Sequence, residues 1–241
     1  MRIAVIADIH GNCVALDAVL ADVRAHAVDQ IVCLGDAVQG GPQPAVVVTR
    51  LREAACPVVA GNADAFLLSG DDGNESVTAQ QQAARGWSLA QLSEADRAFI
   101  AAFQPTVEIA LPGDRRLLCF HGSPTSFHEI IFPDTPEDAV RGMLGPYLPA
   151  TLTGGHTHLQ QIRRLDDSLF FNPGSVGFVY NTRQSGGNLH ADPWGEYAIV
   201  SADEARFSIE FCRVPFDVAE WRRVTLASGI PDAATMAMRY G

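Results

Sequence analysis

The sequence contains no lysine, so all 17 basic residues in its 241 positions are arginines. Acidic residues number 28, and the formal net charge of −11 argues against a nucleic-acid duplex or an anionic membrane as the main partner. No apolar run approaches the roughly 18 residues that a membrane-spanning helix needs, and no secretory leader precedes the first strand. We therefore expect a soluble, cytoplasmic protein of unknown oligomeric state.

The five cysteines include no Cys-x-x-Cys pair, and three of them, Cys33, Cys119 and Cys212, lie inside apolar, strand-like runs. Free cysteine is among the residue types most often buried, and disulfides are rare in reducing compartments. We interpret these residues as buried structural thiols. A structural zinc site built from thiolates is not expected.

Alternating apolar strands and amphipathic helices indicate an α/β fold. Buried strands are predicted at residues 2–7, 30–34 and 57–60, with helices between them, an order that implies a parallel sheet. From residue 63 to residue 103 the pattern predicts mostly helix. No long linker or internal repeat interrupts the sequence, so we expect a single domain over residues 1–241. After residue 103, hairpins and short helices are predicted at residues 106–120, 136–144, 162–171, 197–214 and 218–226.

Polar side chains cluster where the predicted strands end. In open parallel sheets the crevice beyond these carboxyl ends is where ligands bind. Four imidazoles with carboxylate and amide oxygens form a ligand set that suits Zn, Mn, Fe, Co or Ni better than Ca. The seven candidate metal ligands are Asp8, His10, Asp36, Asn62, His121, His156 and His158.

These residues lie in five short blocks whose order along the chain resembles that of the calcineurin-like metallophosphoesterases. The turn Asn172-Pro173-Gly174-Ser175 also resembles one in the small, bacterial phosphodiesterase branch of that family. The resemblance implies a four-layer α-β-β-α sandwich, in which helices flank two mixed sheets. The blocks are Asp8-Ile9-His10, Gly35-Asp36, Gly61-Asn62, His121-Gly122 and Gly154-Gly155-His156-Thr157-His158.

The resemblance further implies a binuclear metal centre holding two divalent ions, among which manganese, iron, zinc, nickel and cobalt stay open. Asp36 would bridge the ions and, with Asn62 and His121, belong to the catalytic residues. The implied activity is hydrolysis of a small-molecule phosphate ester, with a diester as the favoured substrate, by a metal-bridging hydroxide. The implied ligands are Asp8, His10, Asp36 and His158 for one ion, and Asp36, Asn62, His121 and His156 for the other.

One position departs from the family pattern. Many members carry a histidine after the Gly-Asn pair, where it can protonate the leaving group, but this chain has Ala63. General acid assistance is worth about 10²–10⁴-fold, so action on poor leaving groups is in doubt. Arg183, His128 and His190 lie in loops that could roof the site, and Arg183 is the best candidate for a phosphate contact.

Two questions stay open at this stage. Asp64 either orients His10 through a hydrogen bond or serves as an ordinary helix N-cap. The fold also admits other functions, because fold alone does not determine function. The alternatives are a non-catalytic interaction scaffold, as in the family's retromer subunit, and a phosphomonoesterase, protein phosphatase or dinucleoside polyphosphate hydrolase.

Overall fold

The computed structural model describes residues 1–73, 76–148, 150–180, 184 and 189–240. Within them, strands β1, β2, β8 and β9 form one sheet in the order β2-β1-β8-β9, and the other five form a second sheet in the order β3-β4-β5-β7-β6. The strands are β1 (Arg2–Ile6), β2 (Gln30–Cys33), β3 (Val107–Leu111), β4 (Arg115–Cys119), β5 (Thr151–Thr153), β6 (Gln161–Leu165), β7 (Ser168–Asn172), β8 (Trp194–Ala202) and β9 (Phe207–Pro215). The helices are α1 (Cys13–Ala25), α2 (Pro44–Glu53), α3 (Asn62–Ser69), α4 (Ala79–Gln91), α5 (Glu94–Ala101), α6 (Glu137–Leu144), α7 (Val218–Ser228) and α8 (Ala233–Ala237), with a 3-10 turn at Gly145–Tyr147.

Strand β1 contributes to two different hydrophobic layers. Side chains of a strand point alternately to its two faces. Ile3 and Val5 belong to a buried cluster that also includes Leu117 of β4 and Phe171 of β7, so this cluster lies between the sheets. Ala4 and Ile6 belong instead to a cluster that includes side chains of α1 and α2. A continuous apolar strand is therefore required here, because both of its faces are covered.

The second sheet is covered in the same way on its outer face. Phe170 of β7 and Leu152 of β5 pack in a third buried cluster with Val140 and Leu144 of α6. Both sheets are mixed: β1 pairs parallel to β2 and antiparallel to β8, while β4, β5 and β7 run parallel beside antiparallel hairpin partners. The α/β class and the α-β-β-α layering are confirmed.

The prediction of a third strand at residues 57–60 is wrong, because this segment does not join a sheet as a strand. Only isolated parallel bridges form there, between Val58 and Cys33 and between Val59 and Gln104. Pro57 has no N–H to donate, although its carbonyl accepts from the Cys33 amide at 3.0 Å. The segment still runs parallel beside β2, so Gly61 and Asn62 emerge at the same edge as the other motifs.

Helix α8 is a further difference, because no apolar periodicity in the sequence indicated it. Strand β8 also begins three residues earlier than the predicted start at Tyr197. Among the described residues, no helix combines the length and apolar character that crossing a membrane would require.

The layer between the sheets predicts a large cost for truncating Phe171, which is fully buried there. Phe171→Ala should lower the free energy of unfolding by about 3–5 kcal/mol, because it removes a full aromatic side chain from a packed core. Leu226→Ala, at an exposed position of α7, should change it by no more than about 0.5 kcal/mol. Denaturant titration measures both, and equal effects would contradict the assigned layering.

Candidate metal centre

The predicted ligands lie in turns whose backbone is unusual. Asp8, His10, Asp36, His156 and His158 all have positive φ, between 48° and 70°. Residues other than glycine avoid this region, and each such residue costs on the order of 1–3 kcal/mol. Hydrogen bonds between the turns hold the conformation: the amides of Asp8 and His10 donate to the carbonyls of Gly35 and Asp36 at 3.0 and 2.8 Å. Strain of this kind concentrates at functional sites.

Asp8, His10 and His158 form a first group of potential ligands whose donor atoms lie within 4.8 Å of one another. The His158 Nε2 lies 3.5 Å from Asp8 Oδ1, and the His10 Nε2 lies 4.0 Å from the same oxygen. The two Nε2 atoms approach each other to 3.1 Å. All three donor atoms therefore point at one small volume.

Backbone carbonyls determine which imidazole nitrogens face that volume as acceptors. The Nδ1 atoms of His10 and His158 lie 2.9 and 2.5 Å from the carbonyl oxygens of Gln39 and Phe178. A carbonyl can only accept, so each Nδ1 must carry the proton, and each neutral ring then presents an Nε2 lone pair. Two lone pairs facing at 3.1 Å repel unless a proton or a metal cation lies between them.

The surroundings of Asp8 indicate whether a proton or a metal cation lies between the two histidines. Its Oδ2 accepts from the His156 amide at 3.1 Å, while its buried Oδ1 has no hydrogen-bond partner among the described residues. Burial, with a smaller contribution from the Asp36 charge, raises the pKa of Asp8 well above its ordinary value. A proton between the histidines would leave Asp8 Oδ1 unsatisfied, whereas a cation would satisfy all three donors. The group therefore fits a metal ion.

Asp36, His121 and His156 form the second group. His121 Nδ1 donates to the Leu34 carbonyl at 2.8 Å, so its Nε2 faces Asn62 Oδ1 at 3.0 Å. Asn62 opens helix α3, which places its amide oxygen in this group. The nitrogen and oxygen donors suit the same class of divalent transition metals as the first group.

The Asp36 carboxylate faces both groups. Its Oδ2 lies 3.6 Å from His10 Nε2, and its Oδ1 lies 3.5 Å from His121 Nε2. The amide of Ala63, in the first turn of α3, donates to Oδ1 at 2.8 Å and fixes the orientation of the carboxylate. This is the arrangement that a bridging carboxylate requires.

Burial and the charges within the centre shift the pKa values of its residues in different directions. Burial opposes ionisation of Asp36, but the nearby histidines outweigh it and hold the pKa of Asp36 well below its usual range. Burial lowers the pKa of His156 to about 4 and that of His158 to about 3. Burial would also lower the pKa of His121, but Asp36 outweighs it and raises the value to about 9, so metal binding there would release a proton.

The Asn172-Pro173-Gly174-Ser175 turn supports the centre without contributing a ligand. The Asn172 side-chain amide donates to the Gly155 carbonyl at 2.6 Å, which holds the strand end that precedes His156. The Ser175 hydroxyl donates to the Asp8 carbonyl at 2.7 Å. The turn therefore fixes the backbone of two ligand-bearing segments, one from each sheet.

Asp64 does not orient His10, and it caps the start of α3 from the third helical position without being the N-cap residue itself. Its carboxylate accepts from the backbone amides of Ala37, Val38 and Gly61 at 3.1–3.3 Å, and His10 is not among its partners. Gly61 is the N-cap of α3, and Asp64 is the third helical residue. Burial and the nearby Asp36 charge raise the pKa of Asp64 to about 7. It ties the segment after Asp36 to the start of α3.

The candidate substrate residues are placed differently. His128 and His190 are not among the residues that line the two cavities beside the centre. His190 is exposed, whereas the charge of His128 contributes to lowering the pKa of His156. Their role in substrate binding stays a prediction. Arg183 lies outside the described residues. Ala63 lines both cavities.

The structure adds residues that the sequence analysis missed. The Tyr180 ring lies edge-on to His158, with centroids 4.9 Å apart, and Arg239 lines the cavity above the histidines. Arg239 follows α8, and no motif in the sequence marked it.

Comparison with known proteins decides the family. The family model described as the calcineurin-like phosphoesterase superfamily domain matches residues 1–192. The chain belongs to this superfamily. Membership and the two ligand groups together make it a metal-dependent phosphoesterase of the α-β-β-α type. The residues after 192, which include Arg239, lie outside the matched superfamily domain.

Three known proteins are similar to this chain over nearly their full lengths. A metallophosphoesterase from Sphaerobacter thermophilus is 27% identical, with a TM-score of 0.73 and coverage of 99% of this chain and 98% of that one. A hypothetical protein from Pyrococcus horikoshii OT3 reaches a TM-score of 0.82 at 19% identity, covering 99% and 97%, and shows the shared fold. An uncharacterized protein of Methanocaldococcus jannaschii is 26% identical over 239 residues, 95% of this chain and 94% of that one.

Close packing between Gly61 and Asp36 predicts that the centre cannot accept a side chain at position 61. A Cβ there would lie 2.1 Å from Asp36 Oδ1 and 2.4 Å from the Asp36 amide nitrogen. Gly61→Ala should therefore displace the carboxylate and weaken Mn²⁺ binding at least about tenfold. Isothermal titration calorimetry on metal-stripped protein measures this affinity.

Gly86→Ala is the matched control, because a Cβ at Gly86 in α4 would meet nothing within 4 Å. It should leave Mn²⁺ affinity unchanged and raise stability by about 0.5–1 kcal/mol. Unchanged affinity in Gly61→Ala would contradict the packing described for Asp36.

Proposed function

We propose that the protein is a di-metal phosphodiesterase that hydrolyses a small phosphate ester. The observation that carries the proposal is the position of Asp36, whose two carboxylate oxygens face two separate groups of ligands. Two cations close together repel each other, and a shared anion relieves that repulsion. Superfamily membership supports phosphoesterase chemistry at this centre.

Divalent ions bound at the two groups would polarise the phosphoryl oxygens of the substrate. They would also lower the pKa of a bound water molecule towards neutrality. Manganese, iron, zinc, nickel and cobalt are all compatible with the nitrogen and oxygen donors. Asp8, His10 and His158 would hold one ion, and His121, His156 and Asn62 the other, with Asp36 shared. Carbonyl contacts fix the imidazole rings of His10, His121 and His158, so no reorientation is needed at the moment of reaction.

The preference for diesters is based on Ala63. Its methyl group cannot protonate a leaving group, and neither His128 nor His190 is among the residues that line the two cavities. A substrate whose leaving group needs little protonation is the one least affected. This supports an activated or diester substrate over a monoester with a poor leaving group.

The other functions considered have weaker support. A non-catalytic scaffold has no need of a complete ligand set, whereas all seven predicted ligands are present and the two groups of donors are assembled here. The acidic composition supports a small phosphate ester over a nucleic-acid duplex or a membrane as the partner. The free cysteines support a cytoplasmic location as part of the same proposal.

Asp36→Asn provides the direct test. The purified protein should hydrolyse bis(p-nitrophenyl) phosphate with added Mn²⁺, Ni²⁺ or Co²⁺, and EDTA should abolish the activity. Removing the shared charge should lower kcat/KM by at least about 100-fold, because even residues that merely support a metal ligand contribute about 10–100-fold. Calorimetry should show that Asp36→Asn also loses Mn²⁺ affinity.

Asp138→Asn is the matched control for that experiment, since Asp138 is exposed in α6 and outside both ligand groups. It should retain the activity and the metal affinity of the unchanged protein. Full diesterase activity in Asp36→Asn would exclude the shared-carboxylate mechanism.

A further inference from the structure

Two cavities lie side by side at the metal centre. The first, of about 300 Å³, is lined by the ligand side chains His10, Asp36, Asn62, His156 and His158. The second, of about 350 Å³, extends away from it between α3, α4 and the segment around α8. Each alone is near the lower limit for small-molecule sites, about 300–1,000 Å³. The residues common to both walls are His10, Gly40, Asn62, Ala63 and Arg239.

Ala63 is a small residue at the place where the two cavities meet. It lies in the first turn of α3, on the wall that both cavities share. Its side chain is a single methyl group, and a larger residue at this position would project into the junction. The alanine that removes a proton donor therefore also makes room for a larger substrate.

Arg239 provides the positive charge at the junction. Apart from histidine, it is the one basic side chain among the described residues that line either cavity. Its guanidinium carbon lies 5.0 Å from the centre of the Phe178 ring, and the charge of Asp232 acts on it without an ion pair between these two side chains. Burial lowers its pKa, but arginine stays charged at neutral pH.

The chain around Arg239 is held firmly against the centre. The neighbouring Tyr240 is buried, its hydroxyl donates to the Gly177 carbonyl, and Arg222 of α7 donates to the Tyr240 carbonyl. The Arg239 carbonyl accepts from the Ala191 amide at 2.8 Å. A positioned guanidinium that forms no ion pair with the described carboxylates and lies beside a phosphate-type site is suited to contact a phosphate oxygen.

The second cavity has a different chemical character. Phe66, Ala84 and Met236 supply apolar surface, and Gln39 and Gln80 supply side-chain amides. Mixed apolar and amide walls suit a flat, neutral group with its own hydrogen-bonding edge.

Asp232 excludes one kind of occupant. It also lines the second cavity, where the Gln80 amide donates to its carboxylate. A carboxylate in that wall opposes a second phosphate, so a polyphosphate chain is a poor fit there.

We propose that the substrate is a phosphodiester bound across both cavities. Its phosphate lies at the junction, contacted by Arg239, and one substituent, neutral and of nucleoside size, occupies the second cavity. This proposal specifies the substrate class of the function proposed above, and it rests on that function for the hydrolytic step. The binding of the organic group can be tested separately.

Substitution at Ala84 tests occupancy of the second cavity. Ala84→Trp should fill it and raise KM for thymidine 5′-(p-nitrophenyl phosphate) at least about tenfold, while KM for methyl p-nitrophenyl phosphate stays within about twofold. A tenfold change corresponds to about 1.4 kcal/mol, within the value of burying one large apolar group. Ala83→Trp, at the exposed neighbouring position outside the cavity, should change neither KM.

Arg239→Met tests the phosphate contact through binding. In the Mn²⁺-loaded protein it should lower the affinity for thymidine 5′-monophosphate, measured by calorimetry, about tenfold or more. This is the loss expected when a charge-assisted hydrogen bond is removed. Arg239→Lys should restore part of the affinity. The affinity for thymidine, which has no phosphate, should not change.

Binding of thymidine to metal-free protein, followed by NMR, separates this proposal from the one before it. If thymidine binds and Ala84→Trp prevents it, the cavity assignment stands even if no diester is hydrolysed. Equal effects of Ala84→Trp and Ala83→Trp on thymidine binding, or the same loss for both diesters, would overturn the assignment. An unchanged affinity for thymidine 5′-monophosphate in Arg239→Met would overturn the role of Arg239.

Discussion

The structure of the centre depends on one buried carboxylate that two sets of imidazoles share. Asp36 is almost completely buried, and a buried charge is costly unless it is paired or bound to metal. Its two oxygens lie 3.6 and 3.5 Å from His10 and His121, which come from different sheets. The carboxylate thus joins the two halves of the sandwich electrostatically, and it can do so only if both sheets hold their turns in place.

That requirement accounts for the strained backbone around the centre. Positive φ at Asp8, His10, Asp36, His156 and His158 turns each chain sharply after its strand, so that short side chains converge. The cost is offset by hydrogen bonds from residues that bind no metal: Asp64 holds three backbone amides, and the Asn172–Ser175 turn holds two ligand segments. Stability of the sandwich and chemistry at its edge therefore rest on the same contacts.

The sequence predicted the parts that local chemistry determines. Apolar runs followed by polar residues located the strand ends, and their order along the chain indicated the family and the two mixed sheets. The third strand was wrong because Pro57 has no N–H to donate, and only isolated bridges form at Val58 and Val59. The partners of Asp64 and the place of Arg239 could not be read from the sequence. Both depend on contacts between distant segments, and Arg239 lies 81 positions after His158, the last predicted metal ligand.

The central claim is that two metal ions share Asp36. Anomalous scattering from crystals grown with Mn²⁺ measures this most directly. Two peaks are expected, one beside Asp8, His10 and His158 and one beside Asn62, His121 and His156, each in contact with the Asp36 carboxylate. A single peak, or two peaks of which only one contacts Asp36, would contradict the account.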